Sequence, residues 1–162
     1  MAEHTALVEW RGPAVADFLA GHYSRAHTVS FDGGVSIPGS ASPGVVRAPW
    51  SVEAAADPEE MLIAAVSACH MLTFLDLAKH GGFAVASYSD RPVGRMGRIA
   101  AGRYAVTQIA LRPQIAWAPG LAPSAEALAT LHHRAHEACF IANSVSAEIV
   151  VEAAGDAEGA PA

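Results

Sequence analysis

The sequence predicts an α+β fold in one domain. Three observations lead there: segments with strand-like alternation come in runs separated by two long helical stretches, the two helices fall in different parts of the chain, and no repeat or composition shift divides it. The order is strands, helix, strands, helix, strand. The domain is expected to span residues 1–152 of 162, with a polar, Ala/Gly-rich tail from 153 to 162 expected to be disordered.

In the first third, Thr5 to Trp10 alternates weakly, Arg11-Gly12-Pro13 breaks the pattern, and His27 to Phe31 alternates again before Asp32-Gly33-Gly34. Hairpins are expected here. The run from Ser36 to Ala48 is rich in Ser, Pro and Gly and reads as a surface loop.

At Asp57-Pro58-Glu59-Glu60 the start signals of a helix coincide: a capping Asp, Pro at the first helical position and Glu three residues after the cap. The helix can run to Gly81-Gly82, about 35 Å if unbroken. Its apolar residues lie on all sides, so it is expected to be the central element, buried by sheets or by a partner chain.

Strands follow over Phe83 to Tyr88 and Arg103 to Trp117, with a register break at Pro113, as an antiparallel meander. Pro123 and Ser124 open a second helix ending near Asn143, and Val145 to Glu152 alternates as a last strand.

Composition removes several classes of function. The formal charge is −6 and no Lys/Arg cluster exists, so neither nucleic acid nor an anionic membrane surface is expected as a partner. Residues 1–10 hold neither a basic segment nor an apolar run, which predicts no secretory signal and a cytoplasmic location. Met61 to Leu77, interrupted by Ser67, His70, Thr73 and Asp76, falls short of the roughly 20 apolar residues of a bilayer span. The 52% apolar composition with 16% charge predicts extensive burial and a subunit interface.

Cys69 and Cys139, each central to a predicted helix, are the candidates for chemistry. Three readings stand at this point. The thiols are inert core residues; or they bind zinc together with His132 or His136, which share a helix stripe with Cys139 at about 100° per residue; or they are a redox pair, which requires a thiolate beside a cation. His70, His132, His133 and His136 read as partners of buried polar groups and not as catalysts.

The run DPEEMLIAAVSACHMLTFL (57–75) together with AHEACFIANSV (135–145) resembles the OsmC/Ohr family of osmotically induced and organic-hydroperoxide-resistance proteins. The resemblance extends more loosely from Val8 to Val151, where YSRAHTVSFDGG (23–34) and SASP (40–43) look like an OsmC-like subgroup. It implies an OsmC-like fold, an intertwined homodimer with sheets wrapped around long central helices and with active sites shared at the interface.

By the same resemblance, Cys69 is the peroxidatic cysteine, Cys139 the resolving one, Glu59 the acidic partner and Arg25 the arginine reaching the site across the dimer. Arg11 and Arg47 are the alternatives to Arg25. The implied activity is thiol-dependent reduction of organic hydroperoxides through a Cys69–Cys139 disulfide. No bound cofactor is implied, only an external dithiol reductant of the lipoyl type, or a lipoylated protein. Apolar residues Met61, Leu62, Met71, Phe74 and Phe140 are expected to favour an organic peroxide.

An OsmC-like binding or stress protein with idle thiols is the rival. One geometric question remains open: on a straight helix Glu59 and Cys69 lie about 15 Å apart along the axis and about 80° apart around it. Either the helix breaks near Ser67 or the long guanidinium bridges them.

Overall fold

The computed structural model describes residues 2–152, so the expected tail lies outside the described residues. The chain divides into two compact units, one ending at Met61 and one beginning at Leu62.

In the N-terminal unit, β1 (Ala6–Glu9), β2 (His27–Phe31) and β3 (Ser36–Gly39) form an antiparallel sheet in that order, with Val8 opposite Val29 and Val29 opposite Ile37. The strand at 36–39 corrects the expectation of a loop. Pro38 misled, because proline cannot donate to a ladder, yet β3 lies at a sheet edge where that loss is tolerated. A Cβ at Gly39 would stand 2.3 Å from Nε2 of His27, its strand partner, so the residue there must be glycine for the ring to lie across the strand.

A short helix that the sequence did not announce, α1 (Val15–Leu19), follows β1. Phe18 from this helix joins Trp10 and Tyr23, with ring centroids 4.8 to 5.8 Å apart. The Trp10 indole N–H donates to the Ser24 carbonyl at 2.8 Å and fastens the cluster.

Helix α2 (Pro58–His80) begins in this unit and continues into the next. Its start is a reciprocal capping box: the Glu60 N–H donates to Asp57 Oδ1 at 2.8 Å and the Asp57 N–H to Glu60 Oε2 at 3.0 Å. Glu59 and Glu60 in the first turn and Lys79 and His80 in the last complement the helix dipole. Gly82 (φ 77°) ends it, and the Phe83 N–H returns to the Ala78 carbonyl at 3.0 Å.

The helix is unbroken across Ser67. By length and mean hydropathy of 1.8 over its best window it is apolar enough to cross a bilayer, a stronger signal than the interrupted run suggested. Its burial, however, is one-sided. Val66, Ser67, His70, Phe74 and Ala78 are buried while Leu72 is 64% exposed, so of the two expected coverings, sheets or a partner chain, this chain's own elements supply only one side.

In the C-terminal unit, β4 (Val85–Ser89) pairs antiparallel with β7 (Gln114–Trp117). A second sheet has the order β5 (Val93–Ala100), β6 (Arg103–Leu111), β8 (Glu148–Val151). The break at Pro113 falls between β6 and β7 as expected, but the pairing is not a simple meander, and β8 runs parallel to β6. Helix α3 (Ala125–Ala138) is capped by Ser124, whose hydroxyl oxygen accepts from the Ala127 N–H at 3.2 Å.

α3 ends five residues before the expected Asn143. Cys139 adopts an extended conformation (φ −74°, ψ 114°), and a 3-10 turn follows at Ala142–Ser144. No Gly or Pro marks this end. The Asn143 side-chain amide does the work of a stop residue by donating to the Glu137 carbonyl at 2.9 Å.

Two apolar clusters build this unit. Phe74 and Ala78 of α2 pack on Leu131 and Ala135 of α3, flanked by Trp117 and Tyr88. Val66 packs on Ile109 and Leu111 of β6, flanked by Ile149 and Val151 of β8. Cys69 lies on α2 and Cys139 directly follows α3, the two helices that the first cluster joins.

Candidate functional site

Cys69 projects from the middle of α2 and is half-buried, whereas Cys139 is fully buried at the end of α3; both are free thiols. Their side chains meet. Burial, and then the Cys69 side chain beside it, push the Cys139 thiol up from its ordinary value, and the Ala142 N–H, donating to its sulfur at 3.4 Å, opposes them. Because Cys139 leaves the helix, it no longer shares a regular stripe with His132 and His136, as the longer helix implied.

The histidines form the polar part of this region. His70 Nε2 and His132 Nδ1 are joined by a hydrogen bond at 3.1 Å, and their rings lie nearly parallel, edge to edge, with centroids 5.4 Å apart at 8°. The His132 ring stacks on Phe74 at 4.5 Å. His70 is 1% exposed, and burial, with the His132 and His136 charges behind it, lowers its pKa to about 4. Burial lowers His132 too, against the charge of Asp90.

Among the described residues His136 Nδ1 is buried without a partner, while His133 pairs with Glu137 at 3.4 Å on the surface. Partnering of a buried polar group is thus the observed role of His70 and His132. Among the described residues no group of three His, Cys, Asp or Glu is arranged to hold a metal ion.

A second polar group forms around Ser67. Its hydroxyl donates to Asp90 Oδ2 at 2.5 Å, and Asp90 Oδ1 accepts from the Arg112 N–H at 2.7 Å. Among the described residues the Tyr88 hydroxyl is buried without a partner, and burial and Asp90 raise its pKa. Ser67, Tyr88 and Asp90, with Ala64, Ala68, Met71 and Pro92, line a cavity of about 290 Å³. Sequence reasoning missed this arrangement; only a structure brings residues 67, 90 and 112 together.

Arg25 and Glu59 belong to the N-terminal unit. The Arg25 guanidinium lies 3.7 Å over the Tyr23 ring and donates to the Tyr23 carbonyl at 2.6 Å. Its backbone N–H donates to the Trp50 carbonyl at 2.8 Å. Glu59 is half-buried in the first turn of α2, and no hydrogen bond or ion pair joins it to Arg25 among the described residues. Arg47 is exposed, and Arg11 lines a shallow polar depression with Glu9, His27 and Thr28. Of the apolar residues expected around a substrate, Phe74 is sealed in the core and Phe140 is 83% exposed.

The model of the OsmC family, described as OsmC-like protein, matches residues 51–154. An OsmC-like protein of unknown function from Vibrio cholerae O1 biovar eltor is 48% identical and superposes with a TM-score of 0.90, covering 94% of this chain and 99% of that one.

Two more distant structures share the fold. An organic hydroperoxide resistance protein from Elizabethkingia anophelis is 18% identical (TM-score 0.68, 94% of each chain). The organic hydroperoxide resistance protein OhrB of Bacillus subtilis is 18% identical (TM-score 0.65, 92% of this chain and 97% of that one). No curated protein matches the sequence.

Proposed function

Because the chain belongs to the OsmC-like protein family, we propose that it is a thiol-dependent peroxidase that reduces organic hydroperoxides to alcohols. The observation that supports this most directly is the meeting of two free thiols of unequal exposure, half-buried Cys69 and fully buried Cys139.

The inequality supports a division of roles. A peroxide must reach the attacking sulfur, which favours Cys69, while burial keeps Cys139 protonated until it is needed. Cys69 thiolate attacks the distal oxygen; the S–O bond forms, the O–O bond breaks, and the alkoxide takes a proton to leave as alcohol. Cys139 then attacks the sulfenic sulfur, and hydroxide leaves to combine with the thiol proton as water. An external dithiol, of the lipoyl type, returns two electrons and restores both thiols.

In this reading Arg25 and Glu59 complete the site within a homodimer. Arg25 would swing from its place over Tyr23 to offset charge on the leaving oxygen. Exposed Leu72 and Phe140, at 64% and 83%, give a second copy apolar surface to cover.

The test adds sub-stoichiometric cumene hydroperoxide to reduced protein, counts thiols, and maps the link by peptide mass under non-reducing conditions. Loss of two thiols per peroxide, absent in Cys69→Ser, supports the reading. Survival of both thiols, at a rate no faster than free cysteine reacts, makes the chain a binding protein with idle thiols.

A further inference from the structure

Buried His70 and half-buried His132 form a titratable pair that the peroxidase chemistry leaves unused, and its position is specific. His70 follows Cys69 directly on α2, and His132 stands two turns before Cys139 on α3. Phe74, Ala78, Leu131 and Ala135 hold the same helices together, but apolar packing is non-directional and tolerates sliding and rotation. The 3.1 Å hydrogen bond between two nearly parallel rings tolerates neither.

We propose that His70 and His132 are positioning residues for disulfide closure: their hydrogen bond fixes the register of α2 against α3, and so the approach of Cys139 to Cys69. Neither ring touches the peroxide. The first chemical step uses Cys69 without Cys139 and does not need the pair. The second must bring a buried thiol at the end of α3 onto a sulfur at the middle of α2, and there any slide of one helix along the other is felt in full.

The inference deepens the peroxidase reading and rests on it for the identity of the oxidant. It is separable by using two oxidants. Cumene hydroperoxide tests both steps, while diamide tests closure alone: Cys69 thiolate adds to its N=N bond, and Cys139 then displaces the hydrazine to leave the disulfide.

The variant His132→Phe keeps the stack on Phe74 and removes the ring nitrogen; His132→Asn restores a polar atom near the position of Nδ1. Circular dichroism first establishes that each is folded. The expected result is that His132→Phe slows closure at least about tenfold with either oxidant, a misplacement effect of modest size. Sulfenic acid formation, measured in a Cys139→Ser background, should change by less than about twofold, and His132→Asn should recover most of the closure rate.

Equal slowing of both steps, or unchanged closure in folded His132→Phe, overturns the proposal. If that variant does not fold, His70→Phe removes the same hydrogen bond from the other side and is judged by the same two rates. Should the wild-type chain close with diamide and ignore peroxide, the peroxidase reading fails while the positioning role stands or falls on the diamide rates.

Discussion

Ser67 donates its hydroxyl to Asp90 at 2.5 Å and so ties the middle of α2 to the segment between β4 and β5. Asp90 also receives the Arg112 N–H, so one carboxylate joins a helix, a turn and the end of β6. Asp90→Ala leaves a buried serine hydroxyl and a backbone N–H without an acceptor. We expect a loss of about 2–4 kcal/mol in urea unfolding, with Asp90→Asn intermediate. A loss below about 0.5 kcal/mol would show that water replaces the carboxylate without cost.

The His70 pKa of about 4 fixes the sign of one pH effect. Its folded-state value lies below the unfolded 6.5, so the unfolded chain binds the proton more readily in between. The contribution of neutral His70 is complete above pH 6.5 and is lost as pH falls from 6.5 towards 4. Between pH 7 and 5 this amounts to about 2 kcal/mol, and His132 adds in the same direction. Denaturant unfolding of wild type and His70→Gln at both pH values should show the smaller drop in the variant; equal drops would assign the acid sensitivity to other groups.

Cys139→Ser should stop the proposed cycle after its first step. Peroxide then yields a sulfenic acid on Cys69 that dimedone traps at one adduct per chain, and no dithiol-dependent turnover follows. Full turnover by this variant would remove Cys139 from the mechanism.

The capping box offers a test of local energetics. Asp57→Ala removes the acceptor of the Glu60 N–H and should cost about 1 kcal/mol, as should loss of the return bond in Glu60→Ala. Because both bonds close one ring of interactions, the double variant should cost less than the sum. Simple additivity in thermal unfolding would show the two bonds to be independent.

Signals that act over a few residues were legible beforehand. Asp57-Pro58-Glu59-Glu60 and Gly82 set the ends of α2, and Pro113 set the break between β6 and β7. What the sequence concealed depends on distant partners: Ser36–Gly39 became a strand because β2 offers it an edge, and α3 stopped at Ala138 through the Asn143 amide. At the site, Cys69 and Cys139 were identifiable by motif. The His70–His132 bond and the Ser67–Asp90–Arg112 link were not, because no local pattern encodes contacts spanning 62 and 23 positions.

The parallel pairing of β6 with β8 has a consequence for the order in which a nascent chain matures. Ile109 and Leu111 cannot gain Ile149 and Val151 as neighbours until almost the whole described chain has left the ribosome. Until then β6 presents an open edge with an apolar face, a template for wrong pairing between chains during synthesis. Late arrival of four residues, Glu148–Val151, therefore sets the interval in which a chaperone would have something to hold.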